Sequence, residues 1–283
     1  MKINAYVLAG DPAWAAQSIH SYYHLVNEIV VSFDRSRRSW AGHPLSVDES
    51  LARIATADPE GKVRHLPGDH VDPNRYALRV ETEQRQIALD AASAGADWVI
   101  QLDTDEIVRS PGTFREHIRL ADSRAADAVE FPSRLLHVRT KSGQFLERCG
   151  RWWQTQSAYP GPLAVRAGTK LTLARQSKGI ATHRVDVRPW NTDPVQPRGV
   201  PVHGVIRPAD AVVHLSWVRT EAQMAEKRVV SGHARDRDWE RDIRRWRAAT
   251  RHPWLTTMRT PLMFDRWRRF RLTRIPELAD VET

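Results

Sequence analysis

Residues 96–108 read A-D-W-V-I-Q-L-D-T-D-E-I-V. Trp98 to Leu102 is apolar apart from Gln101, the composition of a buried strand. It runs straight into Asp103, Asp105 and Glu106. Three carboxylates within four positions repel one another unless positive charge stands among them. In a parallel α/β sheet, ligands bind beyond the carboxyl ends of the strands. Residues two apart on an extended chain point to the same side. The stretch therefore predicts a buried parallel strand with a cation between Asp103 and Asp105. Oxygen ligands suit Mg²⁺ or Mn²⁺, and an added imidazole shifts the preference toward Mn²⁺. The competing reading makes these acids solvated strand-end residues, or caps for a helix near Pro111.

Upstream, residues 3–9 (I-N-A-Y-V-L-A) and 28–34 (E-I-V-V-S-F-D) read as buried strands, and 63–68 as a weaker one ended by Pro67 and Gly68. Residues 13–26 and 74–94 carry helical periodicity, the second opened by Asn74 and closed by Gly95. The order β-α-β-β-α-β predicts an α/β fold with a mostly parallel central sheet flanked by helices. Downstream, 111–121 reads as a helix and 128–138 as a strand pair or bent strand. Residues 140–210, rich in Gly, Pro, Arg and Trp, read as short strands and loops shaping a pocket over the sheet. A strand at 210–217 and a helix at 221–234 follow.

The chain has 283 residues, 41% hydrophobic and 27% charged, which supports one large domain with an extension and excludes a disordered chain. No apolar run approaches the roughly 18 residues of a membrane span. The single Cys149 excludes an internal disulfide and a cysteine-rich zinc site. A cytoplasmic protein is expected, or one held peripherally at a membrane.

The whole net charge of +9 resides in residues 219–275, with 16 Lys+Arg against 7 Asp+Glu. With Trp239, Trp246, Trp254 and Trp267, this predicts a basic helical C-terminal extension over 219–283. Three readings of it are open: amphipathic helices with Trp packed inward, contact with an anionic membrane, or contact with a nucleic acid backbone. Asp236, Asp238, Glu240 and Asp242 interrupt the first basic run, so Arg266, Arg268, Arg269 and Arg271 form the better patch.

Three landmarks occur in order: E-T-E-Q-R-Q-I-A-L at 81–89, the strand with D-x-D, and V-V-H-L-S-W-V-R-T-E-A-Q-M-A-E-K-R at 212–228. Together they resemble the glycosyltransferase A fold, a Rossmann-like architecture, in its family-2-like members. The resemblance implies a catalytic domain over 1–218, with a nucleotide-sugar half (1–108) and an acceptor half (109–218). It implies Asp103, Asp105 and His214 as metal ligands. It places Ala5, Leu8, Asp34, Arg85 and Asp103 around the nucleotide and its diphosphate. The implied activity is metal-dependent transfer from a nucleotide diphosphate sugar, UDP-sugar favoured, to a glycan or lipid-linked acceptor or a modified DNA base. Where some relatives carry H-E, this chain has T-H-R-V-D at 182–186. The base is therefore open among Asp186, which is favoured, Glu147 and Glu130. Stereochemistry is open as well.

Two alternatives stand beside this. One is a non-catalytic nucleic-acid or anionic-surface binder on a degenerate version of the fold. The other, a nucleotidyltransferase, would carry a basic Gly-rich loop after the first strand, whereas A-G-D-P-A-W holds no Lys or Arg.

Overall fold

The computed structural model describes residues 1–231 and 237–279. The end of the helix expected over 221–234, and Asp236, lie outside the described residues. The first half of the chain alternates strands and helices: β1 (Ile3–Leu8), α1 (Ala15–Tyr22), β2 (Ile29–Asp34), α2 (Val47–Thr56), β3 (Val63–Gly68), α3 (Ala77–Ala92) and β4 (Trp98–Gln101). Then come β5 (Glu106–Ile107), α4 (Pro111–Ser123), β6 (Ala128–Glu130), β7 (Ser133–Arg139), β8 (Phe145–Arg148), β9 (Ala164–Arg166), β10 (Thr182–Asp186), β11 (Gly204–Val205) and β12 (Val212–His214). The chain finishes with α5 (Glu221–Val230), α6 (Trp239–Arg251), α7 (Pro253–Met258), β13 (Phe270–Thr273) and α8 (Pro276–Ala279).

The main sheet has the order β11-β10-β6-β9-β4-β1-β2-β3. Its neighbours are parallel except β9, which runs antiparallel between β4 and β6. The expected α/β class and mostly parallel sheet are therefore present. Strand alternation decides what each face covers. Ile3, Ala5, Val7, Ile29, Val31 and Ile100 share one core with α1, α2 and α4. Tyr6, Val30 and Val99 point the other way, onto Ala88, Leu89 and Ala92 of α3. Burial on both faces is why these strands are continuous apolar runs.

Helix α2 was absent from the expected order. Val47, Leu51 and Ile54 of this helix stand at helical spacing and pack on the core, so the periodic signal was present within its ten residues. The expected strand over 128–138 divides at Phe131 and Pro132, β6 joining the main sheet and β7 the second.

A second sheet has the order β13-β8-β7-β12-β5. Residues 219–283 were expected to be a helical extension; α5, α6, α7 and α8 are helical among the described residues, while 270–273 form a strand of this sheet. Residues 266–268 form one 3₁₀ turn, and 270–273 pair antiparallel with β8. A tertiary ladder overrides local propensity here. Ile275 and Leu278 pack in a core with Trp14, Phe145 and Val213. Trp239 and Trp246 pack against Val138, Leu146 and Phe270. The segment is integral to the fold.

Candidate functional site

Beyond β4 the chain passes through Leu102 to Asp105 and enters β5. β5 pairs antiparallel with β12, setting His214 directly opposite Glu106. The Leu215 N–H donates to the Asp105 carbonyl at 2.8 Å. This ladder carries an imidazole from over a hundred residues downstream to the acidic strand end.

Each carboxylate there is matched by positive charge. Asp105 Oδ1 lies 3.2 Å from His214 Nε2, and its Oδ2 lies 2.9 Å from Arg219 Nη2 and 3.6 Å from Lys227 Nζ. Asp103 Oδ1 accepts from Arg85 Nη2 at 2.7 Å, while Arg85 Nε donates to Glu81 at 2.8 Å. The fully buried Glu106 is gripped by both terminal nitrogens of Arg175 and accepts the Asp103 N–H at 3.0 Å. So many acids are tolerated at a buried strand end because α3, α5, β12 and two loops converge on it with positive charge.

Burial alone would raise the Asp103 carboxyl, but Arg85 and Arg175 outweigh it and hold it at about 2. For Asp105, burial is likewise overcome by His214 and Lys227, and the group lies well below the usual carboxylate range. Burial disfavours the charged His214, yet the facing Asp105 raises its pKa above the ordinary imidazole value. Burial and Arg219 lower Lys227. Charged partners override desolvation in the first three, and desolvation wins for the lysine.

The expected metal set is only partly assembled. Asp105 and His214 face each other and offer an oxygen and a nitrogen. Asp103 is instead engaged by Arg85. Among the described residues no group of three or more His, Cys, Asp or Glu is disposed to hold an ion. Among the described residues His214 Nδ1 has no hydrogen-bond partner; the Glu106 carboxylate, 3.7 Å away, is beyond hydrogen-bond range. One carboxylate and one imidazole fit a Mg²⁺ or Mn²⁺ ion whose remaining ligands are phosphate oxygens and water. They do not fit an ion held by three protein ligands.

Among the positions expected around a nucleotide, Arg85 and Asp103 stand at the strand end, and Asp103 keeps 32% of its side chain open. Leu8 closes β1 at the same edge. Ala5 does not reach it: it lies inside β1, fully buried and in register with β2 and β4. Asp34 is buried, with Oδ1 accepting the Ser36 N–H at 2.8 Å and Oδ2 the His70 N–H at 2.6 Å. Burial raises its carboxyl, but these donors outweigh it and the pKa is lowered. Asp34 fastens the turn after β2.

The three candidate bases are committed elsewhere. Asp186 is fully buried and accepts from the Ser157 hydroxyl at 3.0 Å, the Val187 N–H at 2.6 Å, and the Thr192 hydroxyl and N–H at 2.6 and 2.9 Å. It anchors the 187–193 loop. Glu147, also fully buried, is clamped by Arg134 and Arg271. Glu130 pairs with Arg184 at 2.7 Å. A base must reach the proton it removes, and these three are held in place by their partners.

The sequence reading did not assign roles to Arg175, Arg219, Lys227 or Asp193. Arg219 and Lys227 fall within the quoted 212–228 stretch, so a signal existed. Arg175 had none; its approach depends on Gly161, at φ +154°, where an added Cβ would meet Arg175 Cγ at 2.7 Å.

His214 and Lys227 also line a cavity of about 1110 Å³ whose far wall comes from α6 and the segment leading to β13. Within it, the Arg148 guanidinium lies 3.7 Å from the Trp267 ring centroid and has no ion-pair or hydrogen-bond partner among the described residues. Burial, then Arg237, lowers its pKa to about 9. Asp193 lines the same cavity at 5% exposure, and burial raises its carboxyl.

No protein-family profile and no curated protein matches the chain. Solved structures similar to it include a 4-diphosphocytidyl-2C-methyl-D-erythritol synthase from Anaerococcus prevotii, with 12% identity and a TM-score of 0.34 over 59% of this chain and 71% of that one. A mannose-6-phosphate isomerase from Helicobacter pylori gives 13% and 0.36 over 59% and 72%. A CMP:2-keto-3-deoxy-manno-octonic acid synthetase complexed with CTP gives 14% and 0.33 over 59% and 75%. Likeness this distant does not bear on the reaction.

Proposed function

We propose that this protein is a glycosyltransferase that takes a sugar from a nucleoside diphosphate sugar, UDP-sugar favoured, and passes it to an acceptor held in the 1110 Å³ cavity. One observation carries the reading. The carboxyl end of a central parallel strand bears Asp103 and Asp105 surrounded by Arg85, Arg219, Lys227 and His214, two of which open into that cavity. Ligands of open α/β sheets bind at such strand ends.

The reaction breaks the bond between the anomeric carbon and the diphosphate, which leaves as an anion. Lys227 and Arg85, whose Nη1 has no partner among the described residues, are the groups placed to bind and stabilise it, and Arg219 adds positive charge through its hold on Asp105. Asp105 and His214 would hold a Mg²⁺ or Mn²⁺ ion, which when bound neutralises diphosphate charge. Asp193 is the proposed base for the acceptor hydroxyl. It is buried and lines the cavity, and its raised pKa moves it toward the range that suits proton abstraction. Arg148 would pair with an anionic group on the acceptor.

Calorimetry with UDP and GDP, in Mn²⁺ and in EDTA, on the wild type and Asp105→Ala tests the reading. Mn²⁺-dependent binding of one nucleotide, lost in the variant, is expected. Absence of nucleotide binding under every condition, with salt-sensitive polynucleotide binding in its place, would instead favour a non-catalytic binder.

A further inference from the structure

Large apolar side chains exposed on this protein are concentrated. Trp254 is 66% exposed, Met258 70%, Leu262 71%, Phe264 89%, Trp267 50% and Trp152 62%. They come from two short segments that are fastened together. The Trp153 indole N–H donates to the Thr257 carbonyl at 3.1 Å, and Arg151 Nε to the Pro261 carbonyl at 2.9 Å. The Arg151 guanidinium stands 5.9 Å from the Phe264 ring centroid. The residues form one face, and soluble monomers rarely leave such a contiguous apolar face to water.

The charge around this face is one-sided. Residues 251–274 hold seven Arg and one Asp. That Asp265 is occupied in capping the turn at Trp267. Arg251, Arg259 and Arg268 are exposed and have no carboxylate partner among the described residues. Two arginines of the expected basic patch belong elsewhere: Arg271 reaches inward to Glu147 at 2.9 Å, and Arg269 ties down the Met263 and Phe264 carbonyls.

We propose that this face docks on an anionic membrane surface, with Trp254, Met258, Leu262 and Phe264 entering the headgroup region and Arg251, Arg259 and Arg268 engaging anionic headgroups. Aliphatic and aromatic residues at the most exposed points, ringed by unpaired arginines, are the composition of an interfacial docking face. A nucleic acid gains little from exposed Met and Leu, which offer no stacking plane. A second copy would oppose arginine to arginine. No helix of the described residues is long and apolar enough to cross a membrane, so the contact lies on the surface. Arg259, Trp267 and Arg268 belong both to this face and to the cavity lining. That continuity implies a lipid-borne acceptor, a corollary that rests on the transfer reading; the docking itself does not.

The test is flotation of the full chain with phosphatidylcholine vesicles and with vesicles containing phosphatidylglycerol, at low and high salt. Two variants are compared with the wild type: Arg259→Gln/Arg268→Gln, and Met258→Ser/Leu262→Ser/Phe264→Ser. All five residues are surface-exposed or nearly so, and thermal melting checks that both variants fold. Binding confined to anionic vesicles is expected, weakened about thirtyfold by the arginine pair and more steeply salt-dependent in the wild type. The apolar variant should also bind less. The proposal is overturned by wild type that does not float with anionic vesicles, or by both variants floating as well as wild type. It is equally overturned if the wild type ignores vesicles and the apolar variant breaks a dimer, or if it binds polynucleotide alone.

Discussion

Arg219 joins Asp11 to Asp105, donating to Asp11 Oδ1 at 2.7 Å through one terminal nitrogen and to Asp105 Oδ2 at 2.9 Å through the other. Its side chain is only 2% exposed, and it ties the loop after β1 to the end of β4. Replacing it with Met leaves two carboxylates without their shared partner. A loss of about 3–5 kcal/mol is expected in chemical denaturation. Adding Asp105→Asn should restore part of that loss, which a simple packing defect would not allow.

Asp186 and Asp193 should respond differently to the same change. Asp186→Ala strips the acceptor from four donors in a closed interior, so about 3 kcal/mol or more of stability should be lost. Asp193→Asn should fold normally and bind UDP as wild type does, while transfer falls about 10²–10⁴-fold. Denaturation curves and calorimetry separate the two outcomes.

Arg148 has a ring beneath it and no ion-pair partner among the described residues, Asp265 and Asp193 acting on it only through space. Inorganic phosphate should therefore raise the melting temperature of the wild type more than that of Arg148→Met, the remaining shift in the variant coming from the cations around Asp103 and Asp105. The variant itself should be at least as stable as wild type without phosphate, because a buried cation lacking a partner is removed.

Acid sensitivity is predicted at the far edge of the main sheet. His117 Nδ1 and His183 Nε2 are 3.1 Å apart, sharing one proton, and His203 stacks against His183 at 5.7 Å. Burial, then His117, Arg124 and His203, push His183 down to about 4. Burial also lowers His117, with Arg124 adding to it and Glu116 opposing. Both folded pKa values lie below the unfolded value of about 6.5. Between those limits the unfolded chain binds more protons, so stability is complete above about pH 6.5 and declines as pH falls toward 4. Melting measured across that window should show the decline, and His183→Asn should flatten it.

The strands of residues 1–101 were legible, unlike α2, because a strand buried on both faces is mostly apolar, as Ile29 to Phe33 and Trp98 to Ile100 are. Asp103 and Asp105 could be located for the same reason, as they end such a strand. What balanced them could not be read. The register between β5 and β12 involves two residue pairs, and Arg175 arrives by a loop with no periodicity. Asp186 misled because an acid at a strand end looks the same in sequence whether it faces a cavity or fastens a loop. The end of the tail misled because F-R-L-T is too short an alternation to stand out, and the surrounding arginines give no hint of Glu147, the buried acid that draws Arg271 inward.

The ladder between β8 and β13 also imposes an order of assembly. Residues 145–148 find their partners only at 270–273. A growing chain emerging from the ribosome can close β1 to β4 and their helices early, since all of them lie within the first 101 residues. The wall of the cavity must wait until more than a hundred further residues have been made. Until then Glu147 lacks Arg271, and the arginine-rich face that follows α6 has no scaffold. The strands and helices of residues 1–101 are thus in place well before the wall of the cavity.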